Sequence, residues 1–201
     1  FQSLAADGAI RPLREVETAE LPRTLAYLDQ LEAQGSYTLM VWPVHCVIGS
    51  WGHGVHADVH AACDDWQVKR RTAVRNVFKG MNPWTEHYSA LQAEVPVADD
   101  PATQLNQRLL ARLRESERIY IAGEAGSHCV KATVDHLVAH WPTDELGRLT
   151  LIEDCISAVS GFEAAYADFL AEMRSRGVPV ATADMVSHEL LANAKRLNRE
   201  Q

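Results

Sequence analysis

Apolar positions along the chain switch repeatedly between a helical and a strand period. In LPRTLAYLDQLEAQG, Leu25, Leu28 and Leu31 recur at helical spacing, and the run stops at Gly35, a residue suited to a C-terminal cap. YTLMVW, residues 37–42, then reads as a strand. After Val55, the residues Val59, Ala62 and Trp66 mark one helix face, and TAVRNVF, residues 72–78, reads as a second strand. Leu105, Leu109, Leu110 and Leu113 mark the next helix, RIYIAG a third strand, and Val130, Val134, Leu137, Val138 and Trp141 another helix. LTLIED is strand-like, residues 162–177 helical with a terminal glycine, VPVATA strand-like, and Asp184 opens a last helix. Strands alternating with helices of this length pair in parallel through right-handed crossovers. The pattern therefore predicts an α/β fold, a doubly wound parallel sheet flanked by helices on both faces. No repeat, low-complexity stretch or linker interrupts it, so residues 1–201 read as a single domain.

Composition narrows the function classes. Nineteen basic against 27 acidic residues give a formal charge of −8, and no Lys/Arg run is interleaved with aromatics, which argues against a nucleic-acid binder and for a small-molecule partner. No apolar stretch approaches the roughly 20 residues that span a bilayer. The opening FQSLAADGAIRPLREVE is neither a signal peptide nor a helical start. The four cysteines, Cys46, Cys63, Cys129 and Cys155, form no CxxC pair, which fits a reducing cytoplasm better than a disulfide scaffold or a zinc ribbon.

In doubly wound sheets ligands gather beyond the carboxyl ends of the strands, so the segments just after each strand are where chemistry is expected. WPVHC, FKGMNPWTEHYSA and GEAGSHCVKATVDHL occupy those places. In the last of them a strand ends near Gly123, a tight turn follows, and Cys129 lies in the first turn of a helix. Free backbone N–H groups and the positive end of the helix dipole stabilise a thiolate there, and the same N–H groups suit a tetrahedral oxyanion. A cysteine at a strand–helix junction is equally a small core residue, and position alone leaves both readings open. Lys79, at the end of AVRNVFKG, is either solvated surface or a cation beside a thiol. His45 and Cys46 are neighbours on an extended chain and point to opposite faces, so they form no dyad, and Cys46 is expected in the core. His56, His60 and Cys63 share one helix face at i, i+4 and i+7 and read as a polar helix border.

Taken together, GEAGSHCVKATVDHL, FKGMNPWTEHYSA and WPVHCVIG resemble, in their order and separations, the three signature segments of the nicotinamidase/isochorismatase-like cysteine hydrolases, specifically the larger nicotinamidase-related amidases. The resemblance runs from about Tyr37 to the last strand. It implies the isochorismatase-like hydrolase fold, a six-stranded parallel sheet, and a Cys–Lys–Asp triad acting on a small, aromatic or heteroaromatic carboxamide such as nicotinamide. Cys129 matches the nucleophile and Lys79 the lysine. A cis peptide between Glu124 and Ala125 is implied, with the N–H groups of Ala125 and Cys129 as the oxyanion hole. Trp42, Tyr88 and His128 match substrate-binding positions. His45 matches a ligand of a divalent metal, zinc, iron or manganese. Homo-oligomeric assembly is implied as well. No stretch before Tyr37 resembles the family's first strand with its triad aspartate, or its Asp-x-His metal segment. Those parts are expected from an N-terminal segment or companion chain outside this sequence. Asp154, at the end of LTLIED, is expected to orient backbone. The alternative to an amidase is a non-catalytic ligand-binding or assembly subunit that keeps the fold.

Overall fold

The computed structural model describes residues 20–35 and 37–197, so the reading of the opening segment lies largely outside the described residues. The chain divides into two compact units, Phe1–Phe78 and Lys79–Gln201.

In the first unit, helix α1 (Leu21–Gln34) carries proline in its first turn, buries Leu31 and ends at Gly35, whose φ of 67° is left-handed and whose N–H bonds Glu32 O. Helix α2 (Ala57–Arg70) is capped by His56, whose Nδ1 accepts the Asp58 N–H, and carries the i,i+4 pairs His60–Asp64 and Lys69–Asp65 on its surface. His56 and His60 are thus committed to a polar helix border, as expected. The strand-like segments 37–42 and 72–78 join no ladder among the described residues. A β-branched run becomes a strand only when a neighbour takes its N–H and C=O groups, and that condition is tertiary. Cys46, expected in the core, is exposed with φ 50°. The chain does not run extended through it but turns over residues 48–50, so the alternation used to bury it does not apply.

The second unit holds helix α3 (Gln107–Arg114), capped by the Asn106 side chain on Leu109 N–H, then strand β1 (Ile119–Glu124), helix α4 (Cys129–Ala139), strand β2 (Leu149–Ser157), helix α5 (Glu163–Ser175), strand β3 (Val180–Ala181) and helix α6 (Ala183–Leu197). The three strands form a parallel sheet in the order β1-β2-β3, flanked by helices. Leu149 and Leu151 lie on one face of β2, fully buried in a core with Val134 of α4 and Phe169 and Met173 of α5. Each such side chain contributes roughly 1.5–3 kcal/mol on burial. Thr150, which must point to the opposite face, is also buried, so the sheet is covered on both sides at this level.

One irregularity positions the site. Ile121 pairs with Leu151, but Gly123 pairs with Ile156, so β2 carries three extra residues between those pairs. Asp154 and Cys155 lie within that excursion and are exposed, while the strand returns to β1 at Ile156 and Ser157. Asp154 Oδ1 accepts the Ala183 N–H at 2.7 Å and so orients the start of α6, the backbone role expected for it.

Candidate active site

Beyond β1 the chain makes a tight turn over residues 125–128 and enters α4 at Cys129. The Glu124–Ala125 peptide is cis, as the resemblance implied. Three contacts fix this turn. Gly126 N–H donates to Ser157 O at 2.7 Å, which ties it to the returning end of β2. A Cβ at Gly126 would lie 2.5 Å from the Tyr166 ring and 2.7 Å from Ile156 Cγ2, so only glycine fits the close approach. The Tyr166 hydroxyl is itself anchored on Glu153 O. Finally, Ser127 Oγ accepts the Val159 N–H at 3.1 Å.

Within the turn, Ala125 O accepts the N–H groups of both His128 and Val130. Among the described residues no backbone acceptor takes the Ala125 or Cys129 N–H group at the start of the helix, where the positive end of the dipole lies. Cys129 is half-buried. Lys79 Nζ lies 3.7 Å from its sulfur and donates a 2.8 Å hydrogen bond to His87 O. Two residues fifty positions apart are thus brought into contact. No carboxylate bonds either group among the described residues.

His128 and Tyr88 are both buried, with ring centroids 5.6 Å apart, and Phe162 meets the other side of His128 edge-on at 4.7 Å. His128 Nδ1 shares a 2.9 Å hydrogen bond with Ser127 Oγ, and burial holds its pKa below the usual histidine value. An aromatic cluster is therefore built around His128, the residue that precedes Cys129. Trp42 and His45 belong to the first unit, Trp42 half-buried and His45 exposed. His45 Nδ1 lies 2.6 Å from Pro43 O. A carbonyl only accepts, so Nδ1 is the donor in this contact. One imidazole does not make a metal centre, however. Among the described residues no group of three or more His, Cys, Asp or Glu side chains is placed to hold a metal ion, so the donors present do not fit one.

The sequence reading missed four contributors. Thr133 Oγ1 donates to Cys129 O at 2.7 Å and accepts the Ala90 N–H at 3.0 Å, tying the 86–94 loop to the first turn of α4. Its position four residues after Cys129 is a legible signal, because a helical hydroxyl reaches back one turn. Glu94, inside the apolar run LQAEVPV, is 7% exposed, and its burial pushes its pKa up to about 7. An acid inside such a run is also a signal. For His87, burial and then the Lys79 charge push the pKa down to about 4, and Phe162 joins the aromatic cluster. Neither had a local signature.

No family model matches the sequence, and no curated protein matches it. Among solved structures it is similar to the yeast nicotinamidase Pnc1p bound to the inhibitor nicotinaldehyde, at 23% identity over 72% of this chain and 59% of that chain, with a TM-score of 0.51. It is also similar to a nicotinamidase/pyrazinamidase of Acinetobacter baumanii, at 18% identity over 74% of this chain and 62% of that chain, with a TM-score of 0.50. The chain spans less than two thirds of the length of either. At these identities the likeness is one of fold, and the fold is the one the three sequence segments implied. No helix among the described residues is long and apolar enough to cross a membrane.

Proposed function

We propose that this chain carries the nucleophile-bearing part of a cysteine amidohydrolase that cleaves a small aromatic or heteroaromatic carboxamide, nicotinamide-like, to the acid and ammonia. The observation that carries the reading is the 3.7 Å approach of Lys79 Nζ to Cys129 Sγ at a helix start that follows a cis Glu124–Ala125 peptide. The fold likeness to two nicotinamidases supports it. The Cys129 thiolate attacks the amide carbonyl carbon, and the resulting oxyanion falls to the N–H groups of Ala125 and Cys129. The carbon–nitrogen bond then breaks, ammonia leaves with the proton that came from the thiol, and a thioester remains. Water cleaves the thioester, giving the acid and restoring the thiol. Tyr88 and His128 form one wall of the substrate site.

The step that needs completing is the proton transfer from thiol to leaving ammonia, because Lys79 as an ammonium has no vacant site for that proton. We assign it to a carboxylate on a companion segment that also extends the sheet past β1. In its absence the chain is a ligand-binding or assembly subunit, a reading favoured by the lack of a carboxylate at Cys129 among the described residues. Ammonia release from nicotinamide, measured with and without prior carbamidomethylation of Cys129, decides between them. Release that survives modification of Cys129 removes it as nucleophile, and no release from the assembled protein favours the binding subunit.

A further inference from the structure

Four contacts join Cys129 and Lys79 into a closed ring. Lys79 Nζ lies 3.7 Å from Cys129 Sγ and donates to His87 O at 2.8 Å. Three residues further along the same loop, the Ala90 N–H donates to Thr133 Oγ1 at 3.0 Å. Thr133 Oγ1 in turn donates to the carbonyl of Cys129 itself at 2.7 Å. The ring thus leaves Cys129 through its sulfur and returns to it through its backbone. Apart from the reacting pair, the Thr133 hydroxyl is the one side-chain group in it.

Two features argue that this hydroxyl sets the place of Lys79 and does more than fill a helix face. Lys79 is exposed and lies in no helix or strand, so no ladder fixes its backbone, and its ammonium is placed by the His87 carbonyl. The loop that carries this carbonyl has no regular structure from residue 86 to 90, and the Ala90–Thr133 bond ties it to the helix that Cys129 opens. The second feature is the double use of one oxygen. A helical threonine often turns its hydroxyl back on the carbonyl one turn earlier, a local bond that concerns no other element. Here the same oxygen also accepts from a residue 43 positions away. A hydroxyl donates and accepts at one atom, whereas valine, of nearly the same shape, does neither and leaves the ring open.

We propose that Thr133 is a positioning residue for the Cys129–Lys79 pair: its hydroxyl joins the carbonyl of Cys129 to the N–H of Ala90, and so holds the loop whose His87 carbonyl places the Lys79 ammonium beside the thiol. The inference rests on the roles assigned above to Cys129 and Lys79. It acts through Lys79, and a double-mutant cycle tests that dependence.

The readout compares two alkylating reagents of similar size, neutral iodoacetamide and anionic iodoacetate, on Cys129 in the full chain at low salt, followed by peptide mass mapping. Both react with the thiolate, so the ratio of their rates cancels the fraction of thiolate and any general loosening of the helix, and reports the charge beside the sulfur. Lys79→Met should lower the iodoacetate-to-iodoacetamide ratio about threefold, the effect of one unit charge roughly 6 Å away in water. Thr133→Val should lower it about twofold in the native background and less than about 1.2-fold in the Lys79→Met background, where the group it positions is gone. Thr133→Ser keeps the hydroxyl and should restore the native ratio. An unchanged ratio in Thr133→Val overturns the proposal, as does an equal fall in both backgrounds, a Thr133→Ser ratio as low as that of Thr133→Val, or a ratio that Lys79→Met leaves unmoved. If Thr133→Val does not yield folded protein, Thr133→Ala takes its place with the same outcomes. Alkylation needs no substrate, so the cycle gives its answer even if no amide is hydrolysed. Ammonia release from nicotinamide with a ratio indifferent to Thr133 leaves the amidase reading standing and sinks this one, and the expected ratios without ammonia release do the reverse.

Discussion

The segment 37–78 and the segment 119–178 carry apolar patterns of similar strength, yet they end in different environments. In the first, Val44 is 92% and Trp51 96% exposed, and neither strand-like run pairs. In the second, Leu149, Leu151 and Met173 are 0% exposed, and the strands form a parallel ladder. The periodicity of side chains sets which face would be apolar. Whether that face is buried depends on having a partner surface. The candidate chemistry is divided along the same line, with Cys129, Lys79, Tyr88 and His128 in the packed unit and Trp42 and His45 in the other.

The largest effect that can break this comparison is on turnover. Cys129→Ala should lower the rate of amide hydrolysis at least about a thousandfold with the circular dichroism spectrum intact, whereas Cys46→Ala in the open segment should leave it unchanged. Comparable losses in the two variants would put essential chemistry where the packing is weakest. Next comes stability. Leu149→Ala should cost about 2–5 kcal/mol in urea unfolding, and Val44→Ala should stay within about 0.5 kcal/mol. If Val44→Ala proves as damaging as Leu149→Ala, the exposed face is covered in the working protein and the contrast disappears.

Replacement of Lys79 by alanine removes a group that is largely exposed but touches the sulfur. We expect kcat to fall about a hundredfold with little change in melting temperature. Retained turnover takes Lys79 out of the mechanism.

The smallest expected effect is a pH dependence confined to the packed unit. Glu94 has its pKa raised by burial from 4.5 to about 7, so the folded state keeps a proton that the unfolded chain releases, and its contribution to stability is lost as pH rises from about 4.5 to 7. The full term is on the order of 3 kcal/mol. For His87 the pKa is lowered by burial, and next by Lys79, from 6.5 to about 4, so its contribution runs the other way and is lost as pH falls from 6.5 towards 4. The two oppose one another between pH 4.5 and 6.5. Glu94→Gln should leave only the His87 slope, with stability rising from pH 4 to 6.5 and flat above. Parallel urea midpoints for the variant and the native chain across this range would show that Glu94 does not titrate as described.

Much of this protein was legible in the chain itself. The helices α1 to α6 and the three strands of the parallel sheet follow from periodicity and caps, because these depend on residues within a few positions of one another, and the cis peptide before Cys129 is what the family resemblance implied. Asp154 was likewise readable as a backbone anchor at a strand end. Tertiary structure decided the rest. The segments 37–42 and 72–78 have strand composition but no ladder, since a strand's hydrogen bonds are made by another part of the chain. Cys46 turned outward because local backbone, not alternation, set its direction. The three-residue excursion of β2, the Tyr166 ring over Gly126 and the Lys79–Cys129 contact join residues whose spacing in sequence carries no period. Sequence determined which side chains could do chemistry. Only the packed fold determined that a lysine fifty residues away would meet the thiol, held there by the carbonyl of His87.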